Sequence, residues 1–349
     1  GNQLATVLID RNTDGFTITP LNDMLGLRGN MLAELHFNDC RLKEDALLGP
    51  LTPGVPLAVN FALNEGRFTT ACGSLGLCRA AVDVAARYIR QRKQFKRRLF
   101  SHGIVQHLFA TMLTQTRSAQ LMCFSAAEYR ETLHPAMINQ ILMAKYVASK
   151  AAVDVAGKAV QLLGANGCHA DYAVERYYRD AKILSIYEGT TAMQANDLVS
   201  RKTVRDQGRF AGQQAMRIAA TERALLASET AEAVAVAQVL AGARLGFVQA
   251  VDFIVAHHKT SPNAVYAGSV PFLMLAGNLF AGWQLARSLL ASQQQLAQGL
   301  GDALGADFHR RKIATARFYA DHVLSRAPAL THSIVHGHVA VDFFAPDDF

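Results

Sequence analysis

Residues 1–50 alternate between apolar and polar positions with the period of two expected of strands. "ATVLID" (5–10) and "GFTITP" (15–20) read as strands about the turn "NTDG", and "AELHFND" (33–39) alternates in the same way. Further turns are expected at "LGLRGN" and "LLGPLTPG". From residue 56 the period lengthens. Apolar residues recur at i, i+3, i+4 and i+7 through roughly 56–91, 103–131 and 136–163, the spacing of amphipathic helices. "RRLFSHG" and "ETLHP" separate them, with Pro135 suited to a helix start. The glycine-rich turn "LLGANGC" follows, then a shorter helix in "YAVERYYRDAKIL", the stretch "SIYEGT" (185–190), and a helix in "TAMQANDLVSRK". Beyond 205 the pattern predicts helices near 208–227, 229–258, 268–299 and 306–326, divided by "HHKTSPNA", "QGLGDALG" and "RAPA". Gly242, Gly246, Gly268, Gly277 and Gly282 fall where the periodicity continues, so they point to close helix approach. No repeat of solenoid length occurs.

This divides the chain into 1–50, part of a β domain; 51–204, a helical bundle; and 205–349, an additional helical domain. The fold class expected is mainly α. A sheet of so few strands cannot bury enough surface to stand alone. It is therefore expected to be completed by another polypeptide or by sequence upstream, and the chain to be a fragment or one of two pieces.

Composition adds modest limits. Half the 349 residues are hydrophobic and 18% are charged, with nine prolines, which suits a helix-rich globular protein. A net charge of +7 and a pI near 9.2 suit an anionic partner such as a phosphorylated cofactor, but alone do not argue for nucleic acid. Cys40, Cys72, Cys78, Cys123 and Cys168 are odd in number and show no CxxC spacing, so a reducing, cytoplasmic compartment is expected and no zinc site. No signal-peptide pattern is present. The greasiest stretch, 267–283, is interrupted by Ser269, Pro271 and Asn278, and no membrane span is expected. His107, His169, His257 and His258 show no metal spacing.

Two features carry candidate chemistry. Glu188 follows Ile183, Leu184, Ile186 and Tyr187 and precedes Gly189. By spacing alone a solvated acid at a helix terminus is the favoured reading. The other reading is a base, because a carboxylate that abstracts a proton works best when kept from bulk water, and Gly189 lets backbone approach a ligand closely. The run "RQRKQFKRR" (90–98) reads first as a solvated basic face, with nucleic-acid binding as the alternative.

Four motifs in order change those odds. "MLGLRGNMLAELHFNDCRLKEDALLG", "LNEGRFTTACGSLGLCRAAVDVAARYIRQRKQF", "LLGANGC" and "YYRDAKILSIYEGTTAMQ" together resemble the acyl-CoA dehydrogenase family over residues 1 to about 204. "GSVPFLMLAGNLFAGWQLARSLL" and "FHRRKIATARFYADHVL" resemble the extra helical domain of its longer members. The resemblance implies a partial middle β domain followed by the family's C-terminal bundle, with the N-terminal helical domain and the front of the β domain absent.

It also implies FAD-dependent α,β-dehydrogenation of an acyl-CoA thioester. Glu188 would take the α-proton, and its backbone N–H would help hold the thioester oxygen. Arg67, Tyr187 and Gly189 would lie at the substrate. Arg92 and Phe95 would meet FAD donated across a subunit interface, Gln161, Gly164 and Ala165 would approach its adenine end, and Thr190 would meet the pyrophosphate. Arg179 and Asp180 would steady the loop that carries the base. Gly66 occupies the position where some relatives place the base, which leaves Glu188 and makes neighbouring Glu65 a poor substitute. Lys96, Gly103, Ala192 and Ala165 depart from the family's usual glycine or glutamine at flavin-contacting positions. An electron-transfer flavoprotein is the implied acceptor and a dimer the implied assembly. The alternatives are an acyl-CoA oxidase using O2, or a non-catalytic, DNA-associated or partner subunit on the same scaffold.

Overall fold

The computed structural model describes residues 5–49, 54–298 and 305–341. The expected turns at 47–54 and 298–305 fall largely outside these residues, as does the start of the chain. Strands β1 (Phe16–Leu21) and β2 (Leu32–Phe37) pair antiparallel, from Phe16 opposite Phe37 to Leu21 opposite Leu32. The stretch "ATVLID" is not a strand. It makes one bridge, Val7 to Leu47, supported by Leu8 N–H to Ala46 O and Leu48 N–H to Thr6 O. Its alternation suits a pleat, but a strand needs a neighbour along its length, and among the described residues only 46–48 lies beside it. Leu32, Leu35 and Phe37 remain exposed on β2, as a two-stranded sheet dictates.

Three long helices follow at the expected places: α1 (Gly54–Gln91), α2 (Gly103–Glu131) and α3 (Met137–Leu163). Between α1 and α2 the basic run folds into a hairpin, β3 (Lys93–Gln94) and β4 (Arg97–Arg98), with Phe95 and Lys96 both at positive φ in its two-residue loop. Along α1, Ala71, Ser74, Leu75, Cys78, Ala81, Ala85 and Ile89 are buried, a stripe at helical spacing. They meet the alanine-rich face of α3, where Ala144, Ala148, Ala152, Ala156 and Ala159 permit close approach. After the 164–168 turn come α4 (Val174–Leu184) and α5 (Thr191–Asp197). The helix expected over 191–202 changes at Leu198 into a π turn, Leu198–Val204, whose wider ring is filled by the Thr203 hydroxyl donating to Leu198 O at 2.8 Å.

The second block holds α6 (Arg209–Ala227), α7 (Ala231–His257), α8 (Pro262–Ala267), α9 (Ser269–Ala297), α10 (Ala306–His322), α11 (Ala327–His336) and α12 (His338–Val341). Two boundaries differ from the pattern. Gly268 separates α8 from α9, so part of the expected loop "HHKTSPNA" is helical. The last expected helix stops at His322, and "RAPA" begins a new helix, because a proline in the first turn lacks only an N–H that would have no partner there.

Helix α9 is the spine. Phe272, Leu275, Leu279 and Leu289 are almost fully enclosed, each contributing about 1.5–3 kcal/mol by burial. Trp283 donates to the Thr221 hydroxyl at 2.8 Å, and Arg244 forms a two-pronged pair with the buried Glu222. Four of the five flagged glycines mark close approach: Gly246 to Thr331, Gly268 to Ile334, Gly277 to Tyr146 and Val147, and Gly282 to Leu324. Gly242 faces open space.

One expectation on apolar length is corrected. Helix α7, rather than 267–283, is long and apolar enough by composition to cross a membrane. In the fold it packs against α6, α9, α10 and α11, burying Val236, Leu240, Phe247 and Ile254. The two blocks meet where Gly277 covers Tyr146, and where the His107 ring meets Phe318 at a tilt and His322 edge-on.

Candidate active site

Helix α4 ends in a tight turn, with Ile186 and Tyr187 N–H both donating to Ile183 O. The chain then turns left-handed at Glu188 (φ 55°) and Gly189 (φ 86°) before Thr190 begins α5. A left-handed glutamate is uncommon, since its Cβ crowds the backbone. Three contacts hold it. Gln194, on α5, donates its amide to Glu188 O at 3.2 Å. Lys145, on α3, donates to Tyr187 O at 2.7 Å and to Gly189 O at 3.1 Å. Gly189 is also required sterically, because a Cβ there would occupy the place of the Gln194 amide.

The Glu188 side chain lies against α1 at Gly66. A Cβ placed on Gly66 would stand 2.6 Å from Oε1, 2.7 Å from Cδ and 2.8 Å from Oε2. Gly66 therefore does more than leave the base to another position; its missing side chain is the seat of the carboxylate. Among the described residues, buried Oε2 meets no hydrogen-bond partner, and neither does buried Nε of neighbouring Arg67. Such groups are costly to bury unless something polar meets them. The expected apolar shield is only partly formed: Leu184 is buried but Ile186 is 45% exposed, so much of the enclosure comes from α1. Tyr187 is 39% exposed at the same end. Glu65 makes a two-oxygen pair with Arg130 at 2.6–3.1 Å and is occupied elsewhere.

Lys145 is the charged residue that sequence reasoning missed. It is 2% exposed, and burial lowers its pKa from 10.5 to about 8, with the Glu188 charge opposing and Arg67 assisting. The available signal was a lone lysine at i+4 from Ile141 and i+3 from Leu142, on the buried face of an apolar helix. Gln194, 4% exposed, was likewise missed.

The remaining predicted residues gather at the far end of the bundle. Asn166 donates to the Tyr88 hydroxyl at 2.9 Å, tying the glycine turn to the last turns of α1 beside Arg92. Phe95 is 88% exposed at the hairpin tip, Arg92, Gln161 and Ala165 are exposed, and a Cβ on Gly164 would meet nothing. An arginine, a free aromatic face and an open glycine turn suit a dinucleotide. Along α1, at 1.5 Å per residue, this cluster stands roughly 40 Å from Gly66, more than one dinucleotide spans. Thr190 belongs to the Glu188 end, where it accepts from Met193 N–H at 3.2 Å and keeps its own O–H to donate. Arg179 donates to Leu25 O and Asp180 accepts from Leu27 N–H at 2.6 Å, so α4 holds the loop between β1 and β2.

A helical bundle with a half-buried acid on a left-handed turn, extended by a second helical block, defines a class that the comparisons identify. Residues 53–203 match the acyl-CoA dehydrogenase C-terminal domain, and 214–342 match the acetyl-CoA dehydrogenase C-terminal-like family. The chain is 34% identical to 3-methylmercaptopropionyl-CoA dehydrogenase of Ruegeria pomeroyi, over 91% of this chain and 56% of that protein. It is 37% identical to the short/branched chain specific acyl-CoA dehydrogenase of rat mitochondria, over 55% of this chain and 44% of that one. An acyl-CoA dehydrogenase from Bacillus anthracis, solved with FAD, shares the fold with a TM-score of 0.77 at 18% identity, covering 98% of this chain and 60% of its own. Over these residues the chain belongs to the acyl-CoA dehydrogenase family. It spans about half the length of the curated relatives it matches.

Proposed function

We propose that the complete protein is an FAD-dependent acyl-CoA dehydrogenase in which Glu188 is the base. The observation that carries this is the Glu188 carboxylate, seated on Gly66 with Oε2 buried and unpartnered among the described residues. A carboxylate held this way is fixed in place and poorly solvated, the conditions under which it competes for a carbon-bound proton. Glu188 takes the α-proton of the thioester, and its backbone N–H, which meets no acceptor among the described residues, donates to the thioester oxygen. When bound, FAD would supply the two-electron acceptor for the β-hydrogen that leaves as hydride as the Cα–Cβ double bond forms. Arg67 lies one residue from the carboxylate seat and faces the acyl-CoA; Tyr187 and Gly189 frame it. Arg92 and Phe95 meet a second copy's FAD, the arginine near its pyrophosphate; Gln161, Gly164 and Ala165 approach its adenine end, and Thr190 meets the flavin pyrophosphate. A dimer and an electron-transfer flavoprotein acceptor complete the reading.

The test is Glu188→Gln in the full-length, FAD-loaded protein, mixed without oxygen with a panel of acyl-CoA thioesters. Flavin bleaching is expected to slow by about 10²–10⁴-fold while the flavin spectrum and acyl-CoA binding persist. Bleaching at the native rate would refute the assignment. Peroxide formed per turnover distinguishes the oxidase, which should yield it stoichiometrically.

A further inference from the structure

Lys145 stands where a lysine is costly. An uncharged amide could satisfy the carbonyls of Tyr187 and Gly189 with far less desolvation, so the hydrogen bonds alone do not account for a buried ammonium. Two consequences of its position do. In a trans peptide the C=O and N–H point in opposite directions. With the Tyr187 carbonyl drawn onto Nζ at 2.7 Å, the N–H of Glu188 is turned the other way, where no acceptor among the described residues meets it. The second bond, to Gly189 O at 3.1 Å, holds the peptide that follows Gly189. The left-handed Glu188–Gly189 pair is thus bracketed from both ends, with Glu188 in a backbone conformation it would not choose. The ammonium also interacts electrostatically with the Glu188 carboxylate in a poorly solvated setting, where Coulomb forces are strong. The charged groups facing Lys145 are Glu188, from the loop, and Arg67, from α1; Lys202, from the π turn, faces Arg67 in turn.

We propose that Lys145 is a positioning residue for the base: its ammonium locks the left-handed turn, presents the Glu188 N–H to the thioester oxygen, and balances the Glu188 charge. The inference rests on Glu188 being the base.

Lys145→Gln, Lys145→Met and Lys145→Arg in the FAD-loaded, full-length protein test it. Gln keeps a donor without charge, Met keeps neither, and Arg keeps both. Loss of about 10²-fold in kcat is expected for Gln and Met, with KM nearly unchanged. The acid limb of the kcat/KM profile should move to higher pH, and Arg should recover most of the loss. A Gln variant matching the wild type in kcat and pH profile would overturn the proposal. So would equal losses in all three variants that track melting temperature and leave the pH limb in place.

A second readout needs no turnover. The unfolded chain keeps the Lys145 proton up to 10.5 and the folded chain releases it near 8, so the unfolded state binds more protons in that window. The stability of wild type relative to Lys145→Met should therefore rise between pH 8 and 10.5; a flat difference would overturn the buried cation. If Glu188→Gln were active while this rise was observed, the base assignment would fail, and the proposal resting on it, with the cation confirmed.

Discussion

At the scale of single residues, the site is a set of tolerances around one carboxylate. Gly66 has no side chain because the Glu188 carboxyl group takes that space. Gly66→Ala should leave the helix intact, since alanine is the better helix former, yet push the carboxylate from its seat. A fall in kcat of about 10²-fold is expected with a melting temperature near that of the wild type; unchanged turnover would mean that the seat does not position the base. Much of this was legible. Glu188, Gly189 and the contrast between Gly66 and Glu65 could be read from ordered motifs, whose residues lie close together in sequence. Lys145 could not be singled out in the same way, because a buried lysine and a surface lysine look alike until the carbonyls it serves arrive from 42 and 44 residues away. The shield was read only in part for a related reason: Leu184 is buried, but Ile186 turns outward, while Gly66 encloses from another helix.

Among elements, the long helices were readable because a period of 3.6 is a local property repeated over many turns. The strand expected at 5–10 was not, since strand formation depends on a partner the local sequence does not contain. The helix after "RAPA" was missed because a proline before a helix and a proline ending one look alike in a short window. Glycines carry a sharper contrast. Gly242 and Gly246 lie one turn apart on α7, yet a Cβ at 242 meets nothing while one at 246 runs into Thr331 of α11. Gly242→Ala should raise stability by about 0.5–1 kcal/mol through helix propensity. Gly246→Ala should lower it by about 1–3 kcal/mol through overpacking. Denaturant melts of the two variants check the pair, and equal shifts would deny that α7 and α11 pack closely at this point.

For the whole molecule, the division of the predicted site between two ends of α1 is the leading fact. If the far cluster serves the cofactor of a second copy, damage to the two ends should be complementary. Chains carrying Glu188→Gln and chains carrying Arg92→Glu should each be inactive alone. Unfolded together and reassembled, or coexpressed, they should regain activity through mixed dimers that contain one intact composite site; no recovery would place both ends in the service of one chain. The helices of both blocks were legible in sequence, but the packing between them was not. On α3, Lys145 faces the loop of the base, and the next residue, Tyr146, lies under Gly277 of α9. Helix α3 is therefore a party wall between the loop of the base and α9, which also packs against α5 at Ala195. In evolutionary terms such an annexe is hard to lose: a lineage that once let Tyr146 rely on α9 could not shed the extension by truncation without baring the back of its own active site, so the extra domain, however acquired, would persist by structural debt rather than by any chemistry of its own.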